Sequence, residues 1–154
     1  MTSPEAVAQP EFALSRTVAA PRERVWRAWT DADDLSHWHH PVSVSTPRET
    51  ITLDVREGGA YAYTMVNDDT GDEYPTAGTY LLVAEPERLV FTWGSPDDDP
   101  AASPVVSVDL TTGDHETDTE VALHVRGIPG QPGDDNVYDG WMQALDNLAA
   151  YLAR

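Results

Sequence analysis

The sequence predicts an α+β fold in which a curved antiparallel sheet of about seven strands wraps a long C-terminal helix, with two short helices directly after the first strand. Three observations carry that expectation. An alternating run near the N-terminus passes straight into helical spacing; six period-two runs follow one another between residues 50 and 126; and the chain ends on an amphipathic segment with one apolar stripe.

Residues 1 to 10 are small and polar, are interrupted by Pro4 and Pro10 and show no period, so they read as a disordered lead, with residues 11 to 154 as one domain. In FALSRTV the alternation puts Phe12, Leu14, Arg16 and Val18 on one face, and Pro21 suits the first turn of a helix. Val25, Ala28 and Trp29 have helical spacing in PRERVWRAWT, and Thr30 or Asp31 is placed to cap a second short helix in DADDLSHW. The runs TITLDV, AYAYTMV, GTYLLV, RLVFTW, VVSVDL and TEVALHV have the β-branched and aromatic content of strands. Turn residues separate them, with EGG at 57–59, NDDTGDEYP at 67–75, EPE at 85–87 and TTGDHETD at 111–118, which makes an antiparallel meander. SPDDDPAASP is the exception among these links and reads as a mobile loop. After IPGQPGDD, the stripe Val137, Trp141, Leu145, Leu148 and Leu152 defines a long helix whose large apolar partner is the sheet. Gly140 costs that helix about 1 kcal/mol relative to alanine, which a close approach of helix backbone to sheet would explain.

Composition narrows function mainly by exclusion. Without cysteine there is no disulfide, thiolate nucleophile, iron–sulfur cluster or cysteine-based zinc site. All nine basic residues are arginine, so neither a GxxxxGK[ST] phosphate loop nor a Schiff-base lysine is available. A formal charge of −18 repels phosphate backbones and anionic lipid, and the arginines are scattered, so nucleic acid is not an expected partner. The acidity itself reads as a solubility property suited to high salt. No run approaches the roughly 18 apolar residues of a membrane span, so no membrane insertion is expected. MTSPEAVAQPEF lacks a signal-peptide pattern, and the expected location is the cytoplasm.

Four segments, APRERVWRAWTDADDLSHW (20–38), DVREGGAY (54–61), GTYLLVAEPERLVFTW (78–93) and GWMQALDNLAAYL (140–152), occur in an order that resembles the START-like, or SRPBCC, superfamily. Within it the chain looks like the branch named for the activator of the ninety-kilodalton heat-shock-protein ATPase, and the resemblance covers nearly everything after residue 10. It implies the helix-grip fold and a cavity between sheet and C-terminal helix, which in the superfamily takes lipids, polyketides, hormones or other apolar ligands. It implies no single reaction, because carriers, sensors, cyclases and dehydratases share the fold. The eukaryotic activators carry a separate chaperone-binding domain, which these 154 residues do not include.

Given that cavity, Trp38, His39, Tyr61, Tyr63, Tyr80, Phe91, Trp93, Trp141 and Leu145 are the candidate ligand-binding residues, a large apolar lining with a few polar tips. Taken singly these aromatics read as ordinary core, and as a group they read as a pocket lining only because the fold supplies a cavity. His37, His39 and His40 in LSHWHHP lack HExxH-type spacing and read as solvated loop or pocket-mouth groups, with His39 or His40 available as a general acid or base. No metal and no cofactor is expected. His124 points away from the apolar Val121, Leu123 and Val125, and Arg16, Arg56 and Arg126 read as surface ion pairs rather than grips for a ligand carboxylate. Asp68–Asp69 and Asp97–Asp99 lack calcium-loop spacing and read as solvated turns, and no Ser-His-Asp, nucleophile-elbow or dinucleotide signature is present. The expected function is binding of an apolar or aromatic, lipid- or polyketide-like molecule by a monomer or homodimer. The alternatives are a cyclase or dehydratase that uses a cavity tyrosine or histidine, and a stress-related or chaperone-associated interaction protein.

Overall fold

A computed structural model of the chain describes residues 10–153, so the lead expected over residues 1 to 10 lies outside the described residues except for Pro10. Strand β1 (Glu11–Val18) leads into two helices, α1 (Arg22–Thr30) and α2 (Ala32–Trp38). Strands β2 (Val44–Ser45), β3 (Thr52–Leu53), β4 (Ala60–Asn67), β5 (Glu73–Ala84), β6 (Arg88–Thr92), β7 (Val105–Thr112) and β8 (Thr119–Arg126) follow, and α3 (Val137–Leu152) comes last. They build one eight-stranded sheet in the order β1-β8-β7-β6-β5-β4-β2, with β3 also on β4, and every pairing is antiparallel. The meander from β4 to β8 is the one the turn residues predict. Strand β1 docks on β8 in the register Phe12↔Val125 and Leu14↔Leu123, which extends the apolar face. Among the described residues no helix is long and apolar enough to cross a membrane.

Two stretches depart from simple alternation. TITLDV pairs only at Thr52 and Leu53, and Val44–Ser45 adds a strand too short to carry any period. In GTYLLV the register shifts between Tyr80 and Leu82, a bulge that leaves Leu81 and Leu82 both exposed.

Helix α3 buries Trp141, Ala144, Leu145 and Leu148 in one core cluster with Val106 and Val108 of β7 and Val121, Leu123 and Val125 of β8. Each such Leu or Val contributes roughly 1.5–3 kcal/mol of burial. Arg16 shares the face of Phe12 and Leu14 but lies beside α3, where its Nε meets Asp146 at 3.2 Å in an exposed pair. His124 is on the other face, its Nε2 2.7 Å from Glu11. Gly140 does not approach the sheet. A Cβ there would meet nothing nearer than Pro41 at 3.9 Å, so the expected packing reason for this glycine is wrong.

The two short helices are joined to each other and to α3. The Asp31 carboxylate accepts the backbone N–H of Asp33 at 2.9 Å and of Asp34 at 3.2 Å, which starts α2. The Thr30 hydroxyl instead donates to the Trp26 carbonyl. Trp38 sets its ring edge-on to Trp29 at 4.7 Å, and its indole N–H donates to the Ala28 carbonyl at 3.0 Å. Buried Asp34 accepts from Arg24 at 3.1 and 3.2 Å, from Arg27 at 3.4 Å and from the Tyr151 hydroxyl at 2.5 Å, so one carboxylate ties α1, α2 and α3 together.

Candidate functional site

His39 follows the last residue of α2. Its backbone N–H closes the final turn on Leu35 at 3.0 Å, and its carbonyl accepts the Thr46 hydroxyl at 2.6 Å. That backbone geometry turns the imidazole into the protein, where it is 5 % exposed and its Nε2 lies 2.9 Å from the Tyr63 hydroxyl on β4. The solvated-loop expectation therefore fails at His39. His40 keeps partial exposure, and His37 stacks on Tyr151 at 5.2 Å.

Beside the His39–Tyr63 pair, the end of α2, strand β4 and the first turns of α3 enclose a cleft of about 190 Å³ lined by His39, His40, Pro41, Tyr63, Met65, Trp93, Asn136, Val137, Gly140, Trp141 and Ala144. Trp141 is its hub, packing on Trp93 and His39 at 5.3 Å each and lying nearly parallel to Trp29 at 6.4 Å. Of the nine candidate residues, the cleft brings together His39, Tyr63, Trp93 and Trp141. Tyr61, Tyr80 and Phe91 sit one layer deeper around a residual space of about 20 Å³, with Tyr61 in ring contact with both others at 5.5 Å. Trp38 and Leu145 are fully buried and line neither space. The interior between sheet and helix is thus largely filled by aromatic packing, and the open volume is a cleft at one end of it.

Several lining residues escaped the sequence reading although their signal was present. Met65 shares the period-two face of Tyr63, and Val137 and Ala144 share the helical face of Trp141. Pro41 and Asn136 come from loops, where no period marks a direction, whereas LSHWHHP already offers His40 as a pocket-mouth group.

Burial, and after it the neighbouring His40, pushes the His39 imidazole down to a pKa of about 3, so it is neutral near pH 7. Burial raises the Tyr63 hydroxyl above its ordinary range, and donation toward its oxygen from Trp93 and Thr76 offsets only part of that. No arginine lines the cleft, and among the described residues no group of three His, Asp or Glu side chains is arranged to hold a metal. Three buried ring nitrogens, Trp29 Nε1, His39 Nδ1 and Trp141 Nε1, have no hydrogen-bond partner among the described residues.

The comparisons agree with this architecture. A Chromobacterium violaceum protein of known structure is 27% identical with a TM-score of 0.78, over 94% of this chain and 98% of that one. The AHSA1 protein of Silicibacter pomeroyi is also 27% identical, with a TM-score of 0.73 over 93% and 97% of the two chains. An HSP90 activator from Plasmodium falciparum is 20% identical with a TM-score of 0.68, over 94% and 96%. No curated protein matches significantly. The family described as Activator of Hsp90 ATPase homolog 1-like protein matches residues 19–153, most of the chain, and the chain belongs to that family.

Proposed function

We propose that this protein is a cytoplasmic binding module that sequesters or presents a small apolar or aromatic molecule in the cleft between α3 and β4. The observation that carries the reading is the cleft itself, about 190 Å³ walled chiefly by Tyr63, Met65, Trp93, Val137, Trp141 and Ala144. Its size is close to that of an engineered apolar cavity of about 150 Å³ that takes up benzene, and below the roughly 300–1,000 Å³ of pockets for drug-sized ligands. One ring or a short chain fits, whereas a long lipid or a fused polyketide requires the cleft to open further.

A cyclase or dehydratase that uses His39 and Tyr63 is the competing reading, favoured by their 2.9 Å contact at the cleft wall. Their protonation behaviour weighs against it. An imidazole with a pKa of about 3 is a weak base at neutral pH, and a tyrosine raised by burial is a weak acid. Association with a chaperone draws on the family's description and on the likeness to the Plasmodium falciparum activator, which at 20% identity carries the fold and not the partner.

Calorimetric titration with single-ring aromatics tests the binding reading. Saturable binding in the tens of micromolar, about −6 kcal/mol, is expected. Gly140→Leu should abolish it while leaving the melting temperature unchanged or higher, since the new side chain enters the cleft past Pro41 and a helix-breaking glycine is removed. Absence of saturable binding across the panel, or undiminished binding in the well-folded variant, refutes the reading.

A further inference from the structure

Unpartnered nitrogens are rare in protein interiors, and each costs about 1–3 kcal/mol. Here three belong to rings packed on one another, with His39 to Trp141 at 5.3 Å, Trp29 to His39 at 6.3 Å and Trp29 to Trp141 at 6.4 Å. Two of the rings, His39 and Trp141, line the cleft.

The hydrogen-bond order fixes what His39 offers. The Tyr63 hydroxyl lies 2.9 Å from His39 Nε2, and between a phenol and a neutral imidazole the phenol is the stronger donor and the imidazole nitrogen the stronger acceptor, so the Tyr63 proton is directed to Nε2. A neutral imidazole that accepts at Nε2 carries its proton on Nδ1. The Trp141 indole is a donor by constitution. The two rings facing the cleft thus hold two spare N–H donors and no spare acceptor. A carbonyl oxygen, with two lone pairs and no proton, is the group that matches both, whereas a hydroxyl or amine brings a donor that neither nitrogen receives. Charge is selected against as well. With no arginine in the lining and a formal charge of −18 on the chain, a carboxylate would enter without a counter-ion.

We propose, resting on the reading of the cleft as a small-molecule site, that its ligand is a neutral single-ring aromatic carbonyl compound whose oxygen is received by Trp141 Nε1–H and His39 Nδ1–H. Both nitrogens are shielded from water-sized contact, so uptake of the oxygen goes with a small turn of the two rings toward the cleft.

Three probes of similar size separate the terms: acetophenone, ethylbenzene and benzoate, titrated by calorimetry into the full chain. Acetophenone should bind about tenfold or more tighter than ethylbenzene, the ratio expected for two ordinary hydrogen bonds, and benzoate should bind weakest. Trp141→Phe keeps a ring and removes one of the two N–H donors, and should lower the ratio of acetophenone to ethylbenzene affinity by about threefold or more. If that variant does not fold, the assigned Trp141 indole N–H resonance of the unmodified protein decides, moving downfield with acetophenone and not with ethylbenzene. Ethylbenzene or benzoate equal to or tighter than acetophenone, an acetophenone advantage undiminished by Trp141→Phe, or an indole resonance indifferent to the carbonyl overturns this assignment and leaves the cleft a ring-binding site. Failure of all three probes to bind overturns the binding reading beneath it.

Discussion

His39 is a polar side chain held neutral by its surroundings, and that makes it a source of pH dependence. In the unfolded chain an imidazole titrates near 6.5, whereas in the folded protein burial and then His40 lower it to about 3. Between those values the unfolded chain binds a proton that the native protein refuses. The contribution of this group is therefore complete above about pH 6.5 and is lost as pH falls toward 3. Over the two units from 6.5 to 4.5 the loss is about 3 kcal/mol at most. Asp34 acts in the same direction at lower pH. Burial by itself raises its carboxyl, but hydrogen bonds from Tyr151, Arg24 and Arg27 outweigh that and hold it below the ordinary carboxylate value near 3.8. Urea unfolding of the wild type and of His39→Gln at pH 6.5, 5.5 and 4.5 separates the imidazole from the carboxylates, and the wild type should lose stability more steeply than the variant. Parallel slopes would show that His39 is not the titrating group. The residue was legible as a candidate from LSHWHHP, but its inward direction was not. Which of His37, His39 and His40 turns inside depends on α2 ending at Trp38, a boundary set by tertiary contacts rather than by local pattern.

At the scale of elements, local chemistry was a good guide wherever a period or a cap existed. Period two located β4 to β8, the stripe through Trp141, Leu145 and Leu148 located α3, and Asp31 marked the start of α2. It failed where position depends on a distant partner. Gly78 is one example: a Cβ there would lie 2.1 Å from the Thr92 carbonyl and 2.6 Å from the Tyr61 ring, because Tyr61 reaches across to donate to that carbonyl. The Asp34 junction was invisible for the same reason, since Tyr151 is 117 residues away in the chain. Its energetics follow from its exposure. Arg24 and Arg27 remain partly in water when the carboxylate is removed, so the penalty is that of lost hydrogen bonds rather than of a stranded buried charge. Asp34→Asn should destabilise by about 1–3 kcal/mol and Tyr151→Phe by about 1 kcal/mol, with the double variant losing less than the sum because both act on one junction. Urea midpoints measure all three. A loss below about 0.5 kcal/mol for Asp34→Asn would show that α2 and α3 are held by apolar packing alone.

For the molecule as a whole, two opposing electrostatic effects compete, and their magnitudes decide how it responds to salt. Seven of the nine arginines take part in ion pairs among the described residues, and salt weakens these. Exposed pairs contribute about 0–1 kcal/mol each, and those at Asp34 are shielded by their burial, so the attraction open to screening amounts to a few kcal/mol in total. Against it stands a formal net charge of −18 on 154 residues. That excess acts between all the unpaired carboxylates at once, and folding brings them closer together than they are in the extended chain. At about 10 mM salt the screening length is about 30 Å, so carboxylates repel one another across the domain, and at about 150 mM it falls to about 8 Å, which confines the repulsion to neighbours. The long-range repulsion is removed first and the short-range pairs survive longest. The melting temperature should therefore rise between about 10 and 150 mM sodium chloride and rise more slowly above that. Potassium chloride should give the same curve, because screening depends on ionic strength and not on the identity of the cation. A flat or falling melting temperature in the first interval would mean that the arginine pairs, rather than the acidic excess, dominate the electrostatics of this fold.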